Sequence, residues 1–523
     1  MRLSWSAKSY LAAVGVSFCY GMQQFYILAA CNSIQQILQD FVQRGVESSL
    51  GVYLDEERMS WLWSVFFAVP HVICLLLCYN FTSYFADKLG RKTLIRIAGL
   101  AVMLAAGTAL YLAFVCHSVL LLVAGLFACR LSSSVCNPLS SVYLVELAPQ
   151  HLRASIVSLC ISLRPLGSAL GTLVSHRYLL GTPQRFGYVF LLLNVITLLG
   201  FLATLLLPES PKWLLLAKKD REAARKALST MNVPQEQLDG LLDEFLIAEH
   251  GTGGEEGKKN KKRVQRPVRP TELLCDARFR GYFGVVVCVA TSFATCCPGT
   301  LALYSTEFLS VAGLPLHEAQ LFTLVSMLVA GAGGFASAAL IERLSRRRYM
   351  LAGLSVTVVV FACAAVAGCL GLGWTAYVAA VCVVLASAAF SSPRDVCQVF
   401  TAEITIQRYR APAVTVSSLS RALLTAFELW LMSPLLYYMG TLCVLPWLAV
   451  GLLGRMSVTL YFLMPESRNR SPDEVFSTLV DLTEGATPWD DKNVLIEEEE
   501  KAESAGHSFS EDKTFSGHPA LAV

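Results

Sequence analysis

The sequence predicts an all-α membrane protein: twelve transmembrane helices arranged as two pseudo-symmetric six-helix bundles. Three observations carry this prediction. Apolar runs near the roughly 20 residues that a spanning helix needs recur along most of the chain. The composition is 54% hydrophobic and only 15% charged, with a mean hydropathy of +0.53, far from a soluble average. A polar knot, Ala86-Asp87-Lys88-Leu89-Gly90-Arg91-Lys92, separates two such runs, and a similar one returns half a chain later as Ile341-Glu342-Arg343-Leu344-Ser345-Arg346-Arg347-Arg348. An Asp, a Gly and several cations in so few residues cannot sit in hydrocarbon. Each knot must be a tight turn at a membrane surface, with Gly90 free to take a backbone conformation closed to other residues.

Taken in order, residues 1–207 hold six spans, at 10–30, 61–85, 94–115, 119–143, 155–174 and 189–207. Arg2 and Lys8 ahead of the first run resemble the start of a signal peptide, but further spans follow, so the run is read as span one. Residues 208–280 form a linker with a helical stretch at 220–231, a Gly-rich break at 251–254 and a basic run at 258–269. The basic run is a solvated, partly disordered segment, or a contact with anionic lipid. Residues 281–464 hold the second six spans, at 282–309, 319–341, 350–372, 376–400, 414–438 and 442–464. The tail, 465–523, is polar, with an acidic patch at 497–500, and reads as disordered. It is open to cytoplasmic partners, none of which the sequence identifies.

Lys and Arg set the orientation. Arg91, Lys92 and Arg96 follow span two, Arg153 follows span four, Arg343 and Arg346–Arg348 follow span eight, and Arg408 and Arg410 follow span ten. These loops and both termini are therefore expected in the cytoplasm. The sequons at Asn80 and Asn469 then lie on the cytoplasmic side and are not expected to be glycosylated.

Other chemistry finds little purchase. A net charge of +3 does not suggest nucleic acid. Most of the 17 cysteines lie inside apolar runs, where a free Cys acts as a small hydrophobe, and none has zinc spacing. There is no Gly-Lys-Ser/Thr phosphate loop, metal-ligand helix pair or Ser nucleophile motif. No enzyme activity, metal or cofactor is expected.

Six motifs in order carry a resemblance. They are Asp87–Lys92 after span two, Tyr143-Leu144-Val145-Glu146-Leu147-Ala148-Pro149 with Arg153 after span four, and Pro208-Glu209-Ser210-Pro211-Lys212-Trp213 after span six. Tyr304-Ser305-Thr306 lies in span seven, Ala402-Glu403 with Arg410 follows span ten, and Met464-Pro465-Glu466-Ser467 with Arg470 follows span twelve. Through them the chain resembles the sugar-porter branch of the major facilitator superfamily, and within it the animal facilitative glucose transporters. The resemblance implies a central cavity between the bundles, alternating access by rocking, and a plasma-membrane location. It also implies a cytoplasmic latch, in which Asp87, Gly90, Arg91, Glu146 and Arg153 of one bundle meet Glu342, Arg346, Arg347, Glu403 and Arg410 of the other. The same seven-residue step separates Glu146 from Arg153 and Glu403 from Arg410. Exposed pairs of this kind are worth about 0–1 kcal/mol each, weak enough to break in every cycle.

The family's sugar-contacting residues are largely replaced. Counting along the shared motifs, the span-five Gln falls on Ile161, the span-seven Gln pair on Phe293 and Ala294, the span-ten Trp on Gln398, and the span-four Arg on Leu126. Gly299 also lies on the expected cavity wall. An unpaired buried hydroxyl costs on the order of 1–3 kcal/mol, so these places argue against glucose as the main solute. Proton-driven relatives carry an Asp in span one where this chain has Gly21-Met22-Gln23-Gln24, and a Gln cannot titrate. The resemblance therefore implies uniport, with Gln23 or Gln24 as amide contacts or as helix-packing groups.

What the chain has gained is charge at depth. Arg164 and Arg421 lie eleven residues beyond Arg153 and Arg410, equivalent places in the two halves. That is roughly 16 Å into a core about 30 Å thick. Arg130 lies mid-span in span four, and Arg394 and Asp395 lie in span ten. An intramembrane Arg costs at least about 2.5 kcal/mol and must face water, a counter-charge or a ligand. Two readings follow: a cavity for an anionic or acceptor-rich solute, with Arg164 and Arg421 as opposed forks, or internal pairing with carbonyls, Asp395 or Glu428. The expected function is facilitative transport of a small polar solute, sugar or sugar-like. The alternatives are a carrier of organic anions such as urate or a carboxylate, and a non-transporting solute sensor or scaffold.

Overall fold

The computed structural model describes residues 7–147, 163–231, 238–240, 242–243, 284, 287, 289, 291, 298–340, 344–389 and 407–443. Everything regular in them is helical. The first half runs α1 (Ala7–Ser33), α2 (Gln35–Leu50), α3 (Glu56–Leu89), α4 (Arg91–Val115), α5 (Val119–Leu147), α6 (Arg164–Val174) and α7 (Gly187–Leu205). Two short helices follow, α8 (Pro211–Leu216) and α9 (Arg221–Thr230). The second half gives α10 (Pro298–Val311), α11 (Leu316–Leu340), α12 (Arg346–Cys369), α13 (Gly373–Ala389), α14 (Gln407–Met439) and a closing 3-10 turn at Gly440–Cys443. Seven of the described helices are by themselves long and apolar enough to cross a bilayer.

Eleven of the expected spans therefore have a described helix, α1, α3–α7 and α10–α14; the twelfth, 442–464, lies almost wholly outside the described residues. Outward faces are apolar, with Leu76, Leu77, Leu198, Leu202, Val356, Val359 and Leu385 all exposed, as lipid contact requires. The interior packs Trp63, Tyr20, Tyr26, Tyr143, Phe190 and Tyr304, all essentially fully buried. α1 and α6 approach so closely that a Cβ on Gly171 would lie 2.4 Å from the Tyr26 carbonyl oxygen. Small residues replace apolar driving force in such crossings, because lipid tails compete equally for apolar side chains.

Among the described residues, the halves pack together most extensively through three helix pairs: α1 with α10, α3 with α14, and α6 with α11. In span order these are one with seven, two with eleven and five with eight. Exchanging the halves maps the set onto itself, which is the signature of the pseudo-two-fold relation.

Two local features differ from the sequence expectation. The stretch after span one forms a helix, α2, because Gln35, Leu38 and Val42 line one buried face, flanked by half-buried Ile37 and Phe41, of a helix otherwise rich in polar residues. That polarity hides it from a hydropathy reading. α4 is not a uniform helix either, having a π-helical stretch at Ile97–Val102. There Ser132 Oγ donates to the Ala98 carbonyl at 2.7 Å, consistent with the wider turn loosening the helix's own ladder.

The 86–92 knot is the tight turn that its composition requires. Gly90 alone separates α3 from α4, with φ +98 and ψ 153. In the linker, α9 sits within the predicted helical stretch and is capped by Asp220, whose carboxylate accepts from Ala223 N at 2.9 Å.

Candidate functional site

Sites cluster at three levels of the bundle. The first is the Asp87–Lys92 turn. The side chain of Glu209 accepts from Lys92 N at 2.8 Å and from Thr93 N at 3.3 Å, and the Lys92 ammonium donates to the Leu207 carbonyl. Trp213 Nε1 donates to the Asp87 carbonyl at 2.7 Å, and Tyr143 donates its hydroxyl to the Pro208 carbonyl. Arg91 sits between Asp87, at 3.0 Å, and Glu146, at 3.1 Å; Glu146 also accepts from Ser210 Oγ at 2.6 Å. The Arg91 and Glu146 side chains are only 16% and 14% exposed, so this pair is better shielded than a surface one.

These contacts join α3, α4 and α5 of the first half to α8 of the linker, and none reaches the second half. Of the other expected latch residues, Arg153 of the same half and Glu342 and Glu403 of the other lie outside the described residues. Arg346 and Arg410 are placed only by their helices, α12 and α14, and Arg347 is half-buried on α12. Glu146→Gln with Arg91→Gln forms a test of the turn as a unit. Each single change should cost roughly 1 kcal/mol in a detergent melt, and the double change clearly less than the sum. Additive costs would mean that the 3.1 Å contact contributes nothing.

The second level is the opposite end of the bundle, where the halves meet directly. Asn32 Nδ2 donates to Ser305 Oγ at 3.0 Å, and Asn32 Oδ1 accepts from Thr306 N at 3.2 Å. Gln35 Nε2 donates to Glu307 Oε2 at 2.6 Å. Gln320 Nε2 donates to the Ser33 carbonyl at 2.7 Å, and its Oε1 accepts from Arg177 N at 3.0 Å. A ring nitrogen of His176 lies 3.2 Å from the His317 carbonyl. Along α3 and α14, Tyr438 donates its hydroxyl to Glu57, and the Trp61 and Trp430 rings lie 5.6 Å apart. Asn32, Gln35, Ser305, Thr306 and Gln320 are all buried, so this end is closed by matched polar groups.

Sequence reasoning passed over these gate residues as contacts. The readable signal was the placing of amides and hydroxyls at the ends of spans one and seven, equivalent helices of the two halves.

The third level is mid-membrane. Gln23 is fully buried and donates from Nε2 to Thr197 Oγ1 of α7 at 3.1 Å, a contact inside the first half; Gln24 is half-buried. Arg164, the first residue of α6, and Arg421, on α14, are both half-buried. Arg130 of α5 reaches the ring of His71 on α3. Ile161, Phe293, Ala294, Asp395 and Gln398 lie outside the described residues, and Gly299 is placed only by α10. Among the described residues, no group of His, Cys, Asp and Glu side chains could hold a metal ion.

Two bundles related by a pseudo-two-fold axis, closed against each other at one end by polar contacts, define a multi-pass membrane transporter of the major facilitator fold. Comparison with known proteins agrees. Residues 12–477 match the family described as "Sugar (and other) transporter", and the chain belongs to that family.

Among relatives, the human "Solute carrier family 2, facilitated glucose transporter member 9" is 25% identical over 489 residues, covering 91% of this chain and 86% of that protein. The human member 11 of the same family is 24% identical over 477 residues, covering 90% and 91%. Among solved structures, the inward-open conformation of the xylose transporter XylE from E. coli superposes with a TM-score of 0.69 at 16% identity, covering 89% of this chain and 98% of that one. A crystal structure of the D-xylose-proton symporter gives 0.66 at 16% identity, covering 90% and 100%. At such identity these structures establish the fold alone.

Proposed function

We propose that the protein carries a small polar solute, sugar or sugar-like, down its gradient by alternating access, as a uniporter. The observation that carries this reading is the cross-half gate of Asn32, Ser305, Thr306 and Gln320. Its contacts are neutral hydrogen bonds, about 1 kcal/mol each, which a rocking motion can break and remake. Family membership supports a sugar-like solute, and relatives named as facilitated glucose transporters support uniport over proton coupling. So does span one, where Gln23 and Gln24 stand in place of a titratable carboxylate.

On this reading the Asp87–Lys92 turn faces the cytoplasm, with both termini, and the gate faces outward at the plasma membrane. The turn network and the Arg153, Glu342, Arg346, Arg347, Glu403 and Arg410 cluster are the latch that closes when the gate opens. Gln24, Arg164 and Arg421 line the solute path, with Ile161, Phe293, Ala294, Gly299, Asp395 and Gln398.

Counterflow in proteoliposomes tests the reading. Labelled hexoses and pentoses should exchange saturably, without current and without dependence on an imposed proton gradient. A stimulated rate under that gradient would replace uniport with symport. No exchange of any sugar by folded protein would remove sugar transport. A specific observation favours a second reading, an organic-anion carrier: half-buried Arg130, Arg164 and Arg421 stand at mid-depth on three different helices. A saturable, electrogenic uptake of carboxylates would select it.

A further inference from the structure

We propose that Glu307 and Gln35 form an anionic, acceptor-rich subsite at the mouth of the carrier, which favours solutes bearing an ammonium group and turns carboxylates away. The inference rests on the transport reading above and narrows its solute class.

The pair sits just outside the gate. Gln35, the first residue of α2, lies three residues beyond Asn32, and Glu307, on α10, lies two beyond Ser305. Asn32 and Ser305 are bonded to each other across the halves, and both helices run on from there toward the end at which the halves meet. At 1.5 Å per residue those steps are about 3–5 Å, one layer outward.

Their contact spans the seam. Gln35 is only 4% exposed, and its Nε2 donates to Glu307 Oε2 at 2.6 Å. The other end of that amide is unsatisfied: Gln35 Oε1 is buried and has no hydrogen-bond partner among the described residues. Such a group calls for a visiting donor, from water or from a ligand.

A second carboxylate repeats the arrangement. Glu57, on α3 of the first half, accepts from the Tyr438 hydroxyl on α14 of the second. Its neighbour Arg58 leans instead to Asp55, at 3.9 Å. Among the described residues, no Lys, Arg or His nitrogen lies within 4.0 Å of Glu57 or Glu307. Each half therefore brings a carboxylate to the seam, and each is tied across it by a neutral donor.

Groups bonded across a seam become its walls when the seam parts. Opening strips Glu307 of the Gln35 amide and wets it, and a wetted carboxylate is charged at neutral pH. The entering solute then meets a carboxylate and an amide oxygen, both acceptors. An ammonium, with three donors and no acceptor, matches them, and its bond to the carboxylate is charge-assisted. Neutral hydroxyls match them less strongly. A solute carboxylate brings more acceptors and a like charge, and a unit like charge at 4 Å in water lowers occupancy about fivefold. The freed Gln35 Nε2 is a single neutral donor against that charge. The mouth thus favours the neutral-solute reading over the organic-anion alternative.

The test uses the full chain in proteoliposomes with the gate face outward, at slightly acidic pH. Saturable uptake of labelled D-glucose is measured against D-glucosamine, whose amine is then protonated, and D-glucuronate, each added to that face. Glucosamine should inhibit wild type at a concentration at least tenfold below that for glucuronate. Glu307→Gln, which keeps an acceptor for Gln35 Nε2 and removes the charge, should narrow that ratio to within threefold. Glu307→Asp, which keeps the charge, should hold it above fivefold. A merely structural role would shift inhibition by both sugars alike. Raising salt from about 0.15 to about 1 M shortens the Debye length from about 8 to about 3 Å and should narrow the wild-type ratio at least twofold, an arm that needs no variant to fold. The inference is overturned if glucuronate inhibits wild type as well as glucosamine does, or if neither inhibits. It is also overturned if folded Glu307→Gln keeps the wild-type ratio, if folded Glu307→Asp behaves like Glu307→Gln, or if salt leaves the ratio unchanged. Absence of glucose uptake by folded wild type overturns the transport reading along with it.

Discussion

Gly90→Ala is expected to destabilise the protein by about 2–4 kcal/mol. Two causes add. At φ +98 and ψ 153 the backbone lies in a region essentially restricted to glycine. The new Cβ would also lie 2.7 Å from Glu209 Oε2 and 3.1 Å from the Trp213 ring. Neither neighbour can retreat cheaply, because Glu209 is held by the amides of Lys92 and Thr93, and Trp213 donates to the Asp87 carbonyl.

Gly51→Ala supplies the control. Gly51 has φ +66 and ψ 17, with nothing within 4 Å of a Cβ, so only the left-handed strain of about 1 kcal/mol remains. Melting in detergent should show a clearly larger drop for Gly90→Ala than for Gly51→Ala. Equal drops would show that the crowding around the Gly90 turn has no energetic consequence.

Asn32→Leu is expected to shift the carrier toward the state in which the gate is open, by roughly thirtyfold. The change removes two cross-half hydrogen bonds, to Ser305 and from Thr306, at about 1 kcal/mol each. At about 1.4 kcal/mol per factor of ten, two kcal/mol is roughly thirtyfold.

Cys31 reports the outcome. It is fully buried next to Asn32, and an impermeant maleimide applied from the gate side should reach it slowly in wild type and much faster in Asn32→Leu. Ser305→Ala, which removes one bond, should fall between. Unchanged labelling of Cys31 in both variants would mean that the hydrogen bonds follow closure without holding it.

Much of the architecture was legible before any coordinates. Spans could be counted because hydrocarbon imposes a length of about 20 apolar residues, and the Gly90 turn because charged residues cannot enter it. Placement of amides was less legible. Gln23 reads, by position in span one, as either a solute contact or a helix-packing group, and its bond to Thr197 of the same half is a matter of rotation about an axis that no run length encodes. α2 was hidden for a related reason: its fully buried residues, Gln35, Leu38 and Val42, are few in a helix rich in polar residues, and it is the neighbouring helices α1, α3 and α5 that make that face an inside.

Sequence alone determined the membrane class, the repeat of two halves and the Gly90 turn, because each depends on local composition and spacing, and its motifs carried the resemblance to the family. Tertiary structure alone decided which polar groups meet. Asn32 and Ser305 are 273 residues apart, and Gln35 and Glu307 are 272 apart. Hydrogen bonds act only within about 3 Å, so chain positions that distant become partners only when the two bundles have packed.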